Sequence, residues 1–358
     1  MQGKRGYFGL GRNVFFAGLV SFFMDISSEM IYPLVPLFLT NVLGVNKSLI
    51  GLIEGGAEST ASLLKVFSGW FSDRMGNRKY LMALGYGIST LSRPIMATAT
   101  FWQQVLAARF TDRIGKGIRT APRDAIIVES SRATHLAKAF SFHRSMDTMG
   151  AIVGPGLAFL LFGLFRHDYR TVFWLSMIPA GIAVLVIFMF IEEKRQKVIP
   201  RMERPKMTLS HFDWKAKFFI AIVTLFALGN SSDVFLILRA QQNGIPTVMI
   251  PVVYLVFNLV YSGSAIPAGI AADRFGREKV IFLGFVLFAF LYYGFAVSRS
   301  AGAIWALFAL YGLFMGLTEG IQKAFLATII PSDFKATAFG VYSSAVGLAM
   351  FPASLIAG

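Results

Sequence analysis

Seven charged residues lie in one stretch, 109–125, of a chain that is 55% hydrophobic. On a helix that turns about 100° per residue, all seven fall within an arc of about 140°, while Phe110, Ile114 and Ile118 fall on the opposite side. In a bilayer, a central charge facing lipid costs about 2.5–3.5 kcal/mol, so this face is expected to point into the protein. The charged residues are Arg109, Asp112, Arg113, Lys116, Arg119, Arg123 and Asp124.

Other predicted helices of the first half also carry charges on one face. Asp25 and Glu29 are one helical turn apart, as are Glu54 and Glu58. These charges form either a static ion-pair network that neutralises itself or a set from which some carboxylates exchange protons, and same-sign pairs are the best candidates because they titrate together. The candidate proton-coupling residues are Asp25, Glu29, Glu54, Glu58, Asp112 and Asp147, and the predicted cavity network adds Lys65, Arg109, Arg113, Lys116, Arg119 and Arg144.

The two halves of the chain differ in charge. The acids and bases counted on the first-half helices number seven each, which does not favour a cationic pocket for an anionic substrate. The second half is sparser, so we expect the first half to handle coupling and gating and the second half to contribute substrate shape. The second-half candidates for the substrate cavity are Asn230, Asp233, Asn258, Glu319, Gln322 and Lys323.

Composition places these charges in a helical membrane protein. Only 15% of the 358 residues are charged, against roughly 25% in soluble domains, and mean hydropathy is +0.62. Basic residues cluster in alternate loops, as the positive-inside rule predicts for cytoplasmic loops. The rule explains the net charge of +15 without a nucleic-acid partner, and it places the N-terminus in the cytoplasm.

Apolar runs of about 20 residues can cross a bilayer as helices. The sequence predicts six spans, a basic cytoplasmic linker and five further spans, and an odd eleventh helix suggests that a twelfth is missing from this chain. The domains expected are an N-terminal six-helix bundle at 1–191, the linker at 192–215 and a C-terminal bundle at 216–358. The predicted spans are 13–39, 49–72, 79–98, 102–127, 138–164, 171–191, 216–240, 248–272, 279–297, 301–330 and 334–358.

An internal repeat relates the halves. "GWFSDRMGNRK" at 69–79 recurs 200 residues later as "GIAADRFGREK" at 269–279. Two halves of like topology predict a parallel repeat with a site between them near the middle of the membrane. The repeated motif and the layout of six plus six helices resemble the major facilitator superfamily. That resemblance implies two six-helix bundles related by pseudo-two-fold symmetry, alternating access, and gating roles for Gly69, Asp73, Arg74 and Gly76 and for Gly269, Asp273, Arg274 and Gly276.

Two further motifs carry the resemblance. The fourth span has Arg109, Gly115 and Gly117 of the family's R-x-x-x-G-x-G-x-G pattern, and its run "RIGKGIRTAPRDA" resembles a poorly characterised prokaryotic branch. In the fifth span, "GAIVGPGL" with Gly150, Gly154 and Pro155 resembles the motif of proton-antiporting exporters, although the final Gly is absent. Small-residue packing explains this stretch equally well.

These features predict a secondary active transporter of a small molecule in a bacterial inner membrane, working as a monomer by proton antiport and export. The alternatives are a proton-coupled importer of a polar metabolite or metal chelate, and a membrane sensor or assembly factor that transports nothing. No nucleophile, base and orienting residue form an enzyme's set. We expect no cofactor other than the proton gradient and no metal site, although His143 and Asp147 have ligand-like spacing.

Overall fold

The computed structural model describes residues 10–75, 77–131, 136–193, 212–330 and 335–358, and these residues fold into α-helices joined by short loops. One short 3-10 helix, Thr247–Met249, precedes the eleventh α-helix. The α-helices are α1 Arg12–Ile31, α2 Val35–Asn41, α3 Lys47–Met75, α4 Arg78–Ala97, α5 Trp102–Glu129, α6 Leu136–Leu164, α7 Tyr169–Leu175, α8 Met177–Phe190, α9 Trp214–Gly229, α10 Val234–Gln242, α11 Ile250–Phe275, α12 Arg277–Val297, α13 Ala301–Ile329 and α14 Lys335–Ala357.

Every predicted span coincides with one helix or with two helices in succession. The prediction of continuous helices was wrong for the spans 13–39, 171–191 and 216–240, which the structure divides into α1 and α2, α7 and α8, and α9 and α10. Between α1 and α2 lies Pro33, which has no backbone N–H to donate to a helix. Between α9 and α10 lie residues 230–233, whose short polar side chains compete for backbone hydrogen bonds.

Seven helical segments in the described residues are long and apolar enough to cross a membrane. They include all three broken pairs, α1–α2, α7–α8 and α9–α10, so each break lies within a candidate span. Helices α3, α4 and α5 are more polar, and α5 carries the charged face described above. The seven segments are Arg12–Asn41, Phe142–Leu164, Tyr169–Phe190, Trp214–Gln242, Thr247–Phe275, Arg277–Val297 and Ala301–Leu326.

The apolar core is organised differently at the two ends of the helices. We call the end with loops 42–46, 98–101, 165–168, 243–246 and 298–300 the short-loop end, and the other the basic end. At the short-loop end one cluster joins both halves of the chain, with Phe38 and Phe173 from the first and Ile237 and Phe308 from the second. At the basic end, the described residues form two clusters, each drawn from a single half.

Helix α3 packs closely against α14 across the two halves. The Ser59 hydroxyl donates to the Gly347 carbonyl oxygen at 2.7 Å. A Cβ added to Gly51 would lie 2.3 Å from the Ser354 carbonyl oxygen, so this approach requires glycine. Helices α6 and α11 form a second contact between the halves. Most of the predicted linker, 194–211, lies outside the described residues.

Candidate transport site

A cavity of about 200 Å³ lies among α1, α3, α4, α5 and α11. It is lined by five of the seven charges predicted to share the inward face of α5. Tyr32 and Tyr254 also line it, with ring centroids 5.3 Å apart. We call it the central cavity. Its charged lining residues are Asp25, Glu29, Glu58, Arg93, Arg109, Asp112, Arg113, Lys116 and Arg119.

Two α5 cations of the central cavity are paired with α3 carboxylates. Arg109 binds Glu54, and both side chains are almost completely buried, at 4% and 2% exposure. One turn further along both helices, Arg113 binds Glu58 at 2.6 Å. The spacing of Glu54 and Glu58, which led to their prediction as a same-sign pair, thus matches the spacing of two arginines on the neighbouring helix.

Arg93 of α4 belongs to the same network, although the sequence-based set of charges omitted it. It lies 3.4 Å from the Asp112 carboxylate, and it donates to the hydroxyls of Ser27 and Ser28 at 2.9 Å each. Its exposure is 1%. A single arginine inside the apolar span 79–98 was the signal that could have identified it. With Arg93 included, the first-half bases outnumber the acids by one.

Four charges of the central cavity have no oppositely charged partner within 4.0 Å among the described residues: Lys116 and Arg119 on α5, and Asp25 and Glu29 on α1. Arg119 instead donates to the Ser89 hydroxyl at 2.8 Å and lies 4.4 Å above the Tyr86 ring. One carboxylate oxygen of Glu29 is buried without a hydrogen bond. The cavity therefore separates two cations from two carboxylates.

The glycines of α6 determine where these two carboxylates lie. A Cβ on Gly150 would be 2.8 Å from the Asp25 Cβ, and one on Gly154 would be 2.7 Å from the Glu29 Cβ. The two glycines thus allow α1 to approach α6 at the turns that carry the acids. Pro155 lies inside α6 directly after the second contact.

His143 of α6 lies in a hydrogen-bonded group beside the central cavity. Its Nε2 is 2.8 Å from the Ser21 hydroxyl, and its Nδ1 is 3.5 Å from the Asp147 carboxylate. The Ser21 hydroxyl is also 3.2 Å from the Tyr86 hydroxyl. In the described residues, no group of three or more His, Cys, Asp or Glu residues is placed to hold a metal ion.

Two of the second-half candidates, Asn230 and Asp233, lie in the break between α9 and α10. The Tyr311 hydroxyl donates to Asp233 at 2.7 Å, and the Tyr292 hydroxyl donates to Asn230 at 3.1 Å. The Asn258 amide is bound to the Tyr254 carbonyl oxygen of its own helix. Tyrosines of α12 and α13 therefore satisfy the polar groups of the break, and sequence reasoning did not find them.

A second, larger cavity of about 490 Å³ lies between α6, α11 and α13 and extends toward the basic end. Here Arg144 of the first half donates to the Tyr261 hydroxyl at 2.7 Å and lies 3.7 Å from Glu319. Tyr261 also donates to Glu319, and Lys323 lies 3.5 Å from the same carboxylate. Gln322 faces elsewhere and accepts from the Tyr342 hydroxyl. The second-half candidates predicted as one site are thus divided: Glu319 and Lys323 line the second cavity, Asn230 and Asp233 lie at the α9–α10 break, and Asn258 and Gln322 line neither cavity.

The second copy of the repeated motif makes contacts within its own half. Asp273 binds Arg277 at 2.9 Å, and Arg274 lies over the Phe275 ring. Gly276, with φ of 102°, occupies a conformation that favours glycine and joins α11 to α12. Gly269 lines the second cavity. In the first copy, Gly76 and the side chains of Asp73 and Arg74 lie outside the described residues, and the backbone at Gly69 is helical. The side chain of Lys65, which precedes this copy on α3, also lies outside them.

Spanning helices arranged around a cavity of buried charges are typical of membrane transporters. The chain belongs to the Major Facilitator Superfamily, whose family model matches residues 17–358. It is therefore a transporter and not an enzyme.

Known proteins resemble the chain over nearly its whole length. It is 36% identical over 359 residues to the uncharacterized MFS-type transporter MJ1317 of Methanocaldococcus jannaschii, covering 98% of this chain and 88% of the relative. It superposes on a crystal structure of the peptide transporter POT with a TM-score of 0.81 at 12% identity, covering 99% of this chain and 90% of that one. A bacterial homolog of the human lysosomal transporter Spinster, in an inward-facing and unoccupied conformation, gives 0.74 at 15% identity and covers 96% and 80%. At these identities the two structures show the fold alone.

Proposed function

We propose that the chain is a proton-coupled secondary transporter that exports a small molecule in exchange for protons. Asp25 and Glu29, which line the central cavity without a cationic partner, are the observation that carries this proposal. A carboxylate held in an ion pair releases its partner when it takes up a proton, whereas these two take up protons without breaking a pair. They are therefore the leading coupling residues.

The internal repeat supports an arrangement of two six-helix bundles that rock about the central cavity. The shared apolar cluster at the short-loop end and the separate clusters at the basic end favour access from the basic end. We place the basic end in the cytoplasm of a bacterial inner membrane by the positive-inside rule, so this conformation faces inward. We also propose that the protein works as a monomer.

Export is favoured over uptake by the resemblance of the Gly150, Gly154 and Pro155 stretch to the motif of proton-antiporting exporters. The close contact of both glycines with the acid-bearing turns of α1 gives the motif a role in coupling. It would position the two carboxylates against α6 rather than provide packing alone.

The test is reconstitution in liposomes with an imposed pH gradient and a panel of labelled solutes. We expect saturable flux driven by a gradient of the antiport sense, and its loss in Asp25→Asn and Glu29→Gln. Exposed Glu278, in the first turn of α12, provides the matched control Glu278→Gln, which should transport normally. Flux driven by the opposite gradient would identify an importer. Flux that did not depend on the pH gradient would refute proton coupling. The absence of flux for every solute would favour a sensor.

The orientation of the protein in the membrane can be tested separately by labelling single cysteines, because the chain contains none of its own. Single Lys47→Cys and Glu278→Cys variants place one thiol at each end of the helices. In intact cells, an impermeant maleimide should label the first and spare the second. The reverse pattern would overturn the assignment of the basic end to the cytoplasm.

A further inference from the structure

The central cavity has a charge arrangement that selects a class of solute. Three of its cations already have a carboxylate within ion-pair distance: Arg113 has Glu58, Arg109 has Glu54, and Arg93 has Asp112. Replacing an internal partner by a ligand would break a buried ion pair, which is strongly unfavourable. A ligand is therefore expected to bind the charges that the protein leaves without a partner.

Those charges have opposite signs and lie on different helices. Lys116 and Arg119 belong to α5, and Asp25 and Glu29 belong to α1. No cation–carboxylate pair among the four is within 4.0 Å, so none of the four forms a direct ion pair with another. An anion alone would satisfy the α5 side and leave two carboxylates without a partner, and a cation alone would do the reverse. A solute with one group of each sign satisfies both sides.

The shape of the cavity limits the size of this solute. An apolar cavity of about 150 Å³ accommodates benzene, so the volume of about 200 Å³ suits a compact molecule of roughly ten non-hydrogen atoms. The rings of Tyr32 and Tyr254 supply aromatic surface in a lining that is otherwise mainly polar. A small apolar group of the solute is therefore expected to lie against these two rings.

We infer that the central cavity binds a compact zwitterion, with its anionic group on Lys116 and Arg119 and its ammonium group on Asp25 and Glu29. This inference rests on the proposed function, since it names the substrate class of that same site. Amino acids with a neutral side chain and short ω-amino acids have this chemistry.

The test uses the full chain in lipid nanodiscs and calorimetric titration with solutes of similar size that differ in charge. The probes are leucine, leucinamide as its cation, 4-methylpentanoate as its anion and 4-methylpentanamide as the neutral form. Two ω-amino acids, 4-aminobutyrate and 6-aminohexanoate, vary the distance between the charged groups. We expect at least one zwitterion to bind tenfold or more tightly than every singly charged or neutral form. Equal binding of the anion or of the cation, or binding by none of the zwitterions, would overturn the inference.

Two variants test which side recognises which group. In Lys116→Gln the preference for leucine over its cation should collapse, and in Glu29→Gln the preference for leucine over its anion should collapse. A general loss of structure would weaken all probes alike. The exposed residues Lys47 and Glu278 give matched controls, Lys47→Gln and Glu278→Gln, which should keep both preferences. Should a cavity variant fail to fold, the wild-type comparison of the probes still decides the question.

The same probes in the liposome assay separate this inference from the proposed function. If a zwitterion bound but did not cross the membrane, the proposal of transport would be refuted. The inference that the central cavity binds a zwitterion would stand. If a gradient drove flux of the cation or the anion but of none of the zwitterions, the inference that the substrate is a zwitterion would be refuted. The proposal that the protein is a transporter would stand.

Discussion

Replacing Glu54 by Gln should destabilise the protein strongly, because it leaves the buried Arg109 cation without its partner. The two side chains are 2% and 4% exposed, so water cannot replace the lost carboxylate. Removing one partner of a buried ion pair costs about 3–5 kcal/mol. The Nε of Arg109 already lacks a hydrogen bond, and the Tyr32 ring, 5.7 Å from the guanidinium carbon, does not replace a carboxylate.

The assay is a double-mutant cycle on the free energy of unfolding, measured by titrating SDS into detergent-solubilised protein. Glu54→Gln and Arg109→Gln should each be strongly destabilising, and the double variant should recover about 2–3 kcal/mol of the summed losses. The pair Arg12–Glu192, at 2.9 Å with side chains 38% and 43% exposed, is the control. The coupling free energy of this exposed control pair should be about 0–1 kcal/mol.

The outcome distinguishes a structural from a proton-carrying role for Glu54. A coupling free energy no larger than that of the exposed control would refute the argument that this pair is structural. If Glu54→Gln unfolded normally but lost its response to a pH gradient, Glu54 would join Asp25 and Glu29 as a coupling residue.

The remaining predictions concern α6 and the second half. Gly154→Ala should impair proton-coupled flux, because the added Cβ would lie 2.7 Å from the Glu29 Cβ. Gly163→Ala is the control and should leave flux unchanged, because its Cβ would have nothing within 4 Å. Equal flux in the two variants would contradict the role of Gly154 in positioning Glu29. Asp233→Asn should change the order of preference among transported solutes more than it changes the pH profile of transport. A pH profile that moved as far as that of Asp25→Asn would contradict the proposed division between the halves.

The sequence was sufficient for the spans and for the inward face of α5, because both depend on local periodicity. A run of about 20 apolar residues needs a helix to cross a bilayer, and the 100° rotation per residue determines which side chains share a face. The family was recognisable for a related reason, since the repeated motif at 69–79 and 269–279 keeps its spacing. The helix breaks were not recognised, because short polar residues such as those at 230–233 also occur within helices.

Tertiary structure alone decided which charges pair. Glu54 and Glu58 looked like one same-sign unit in the sequence, yet each faces its own arginine because α3 and α5 pack in register. Asp25 and Glu29 look similar in sequence, but α1 meets the α6 glycines at those turns, and among the described residues no cation lies within 4.0 Å of either carboxylate. Helical spacing determines the face on which a charge lies, and the packing of neighbouring helices determines its partner. Only the packing of neighbouring helices distinguishes a structural ion pair from a charge that is available to a solute or a proton.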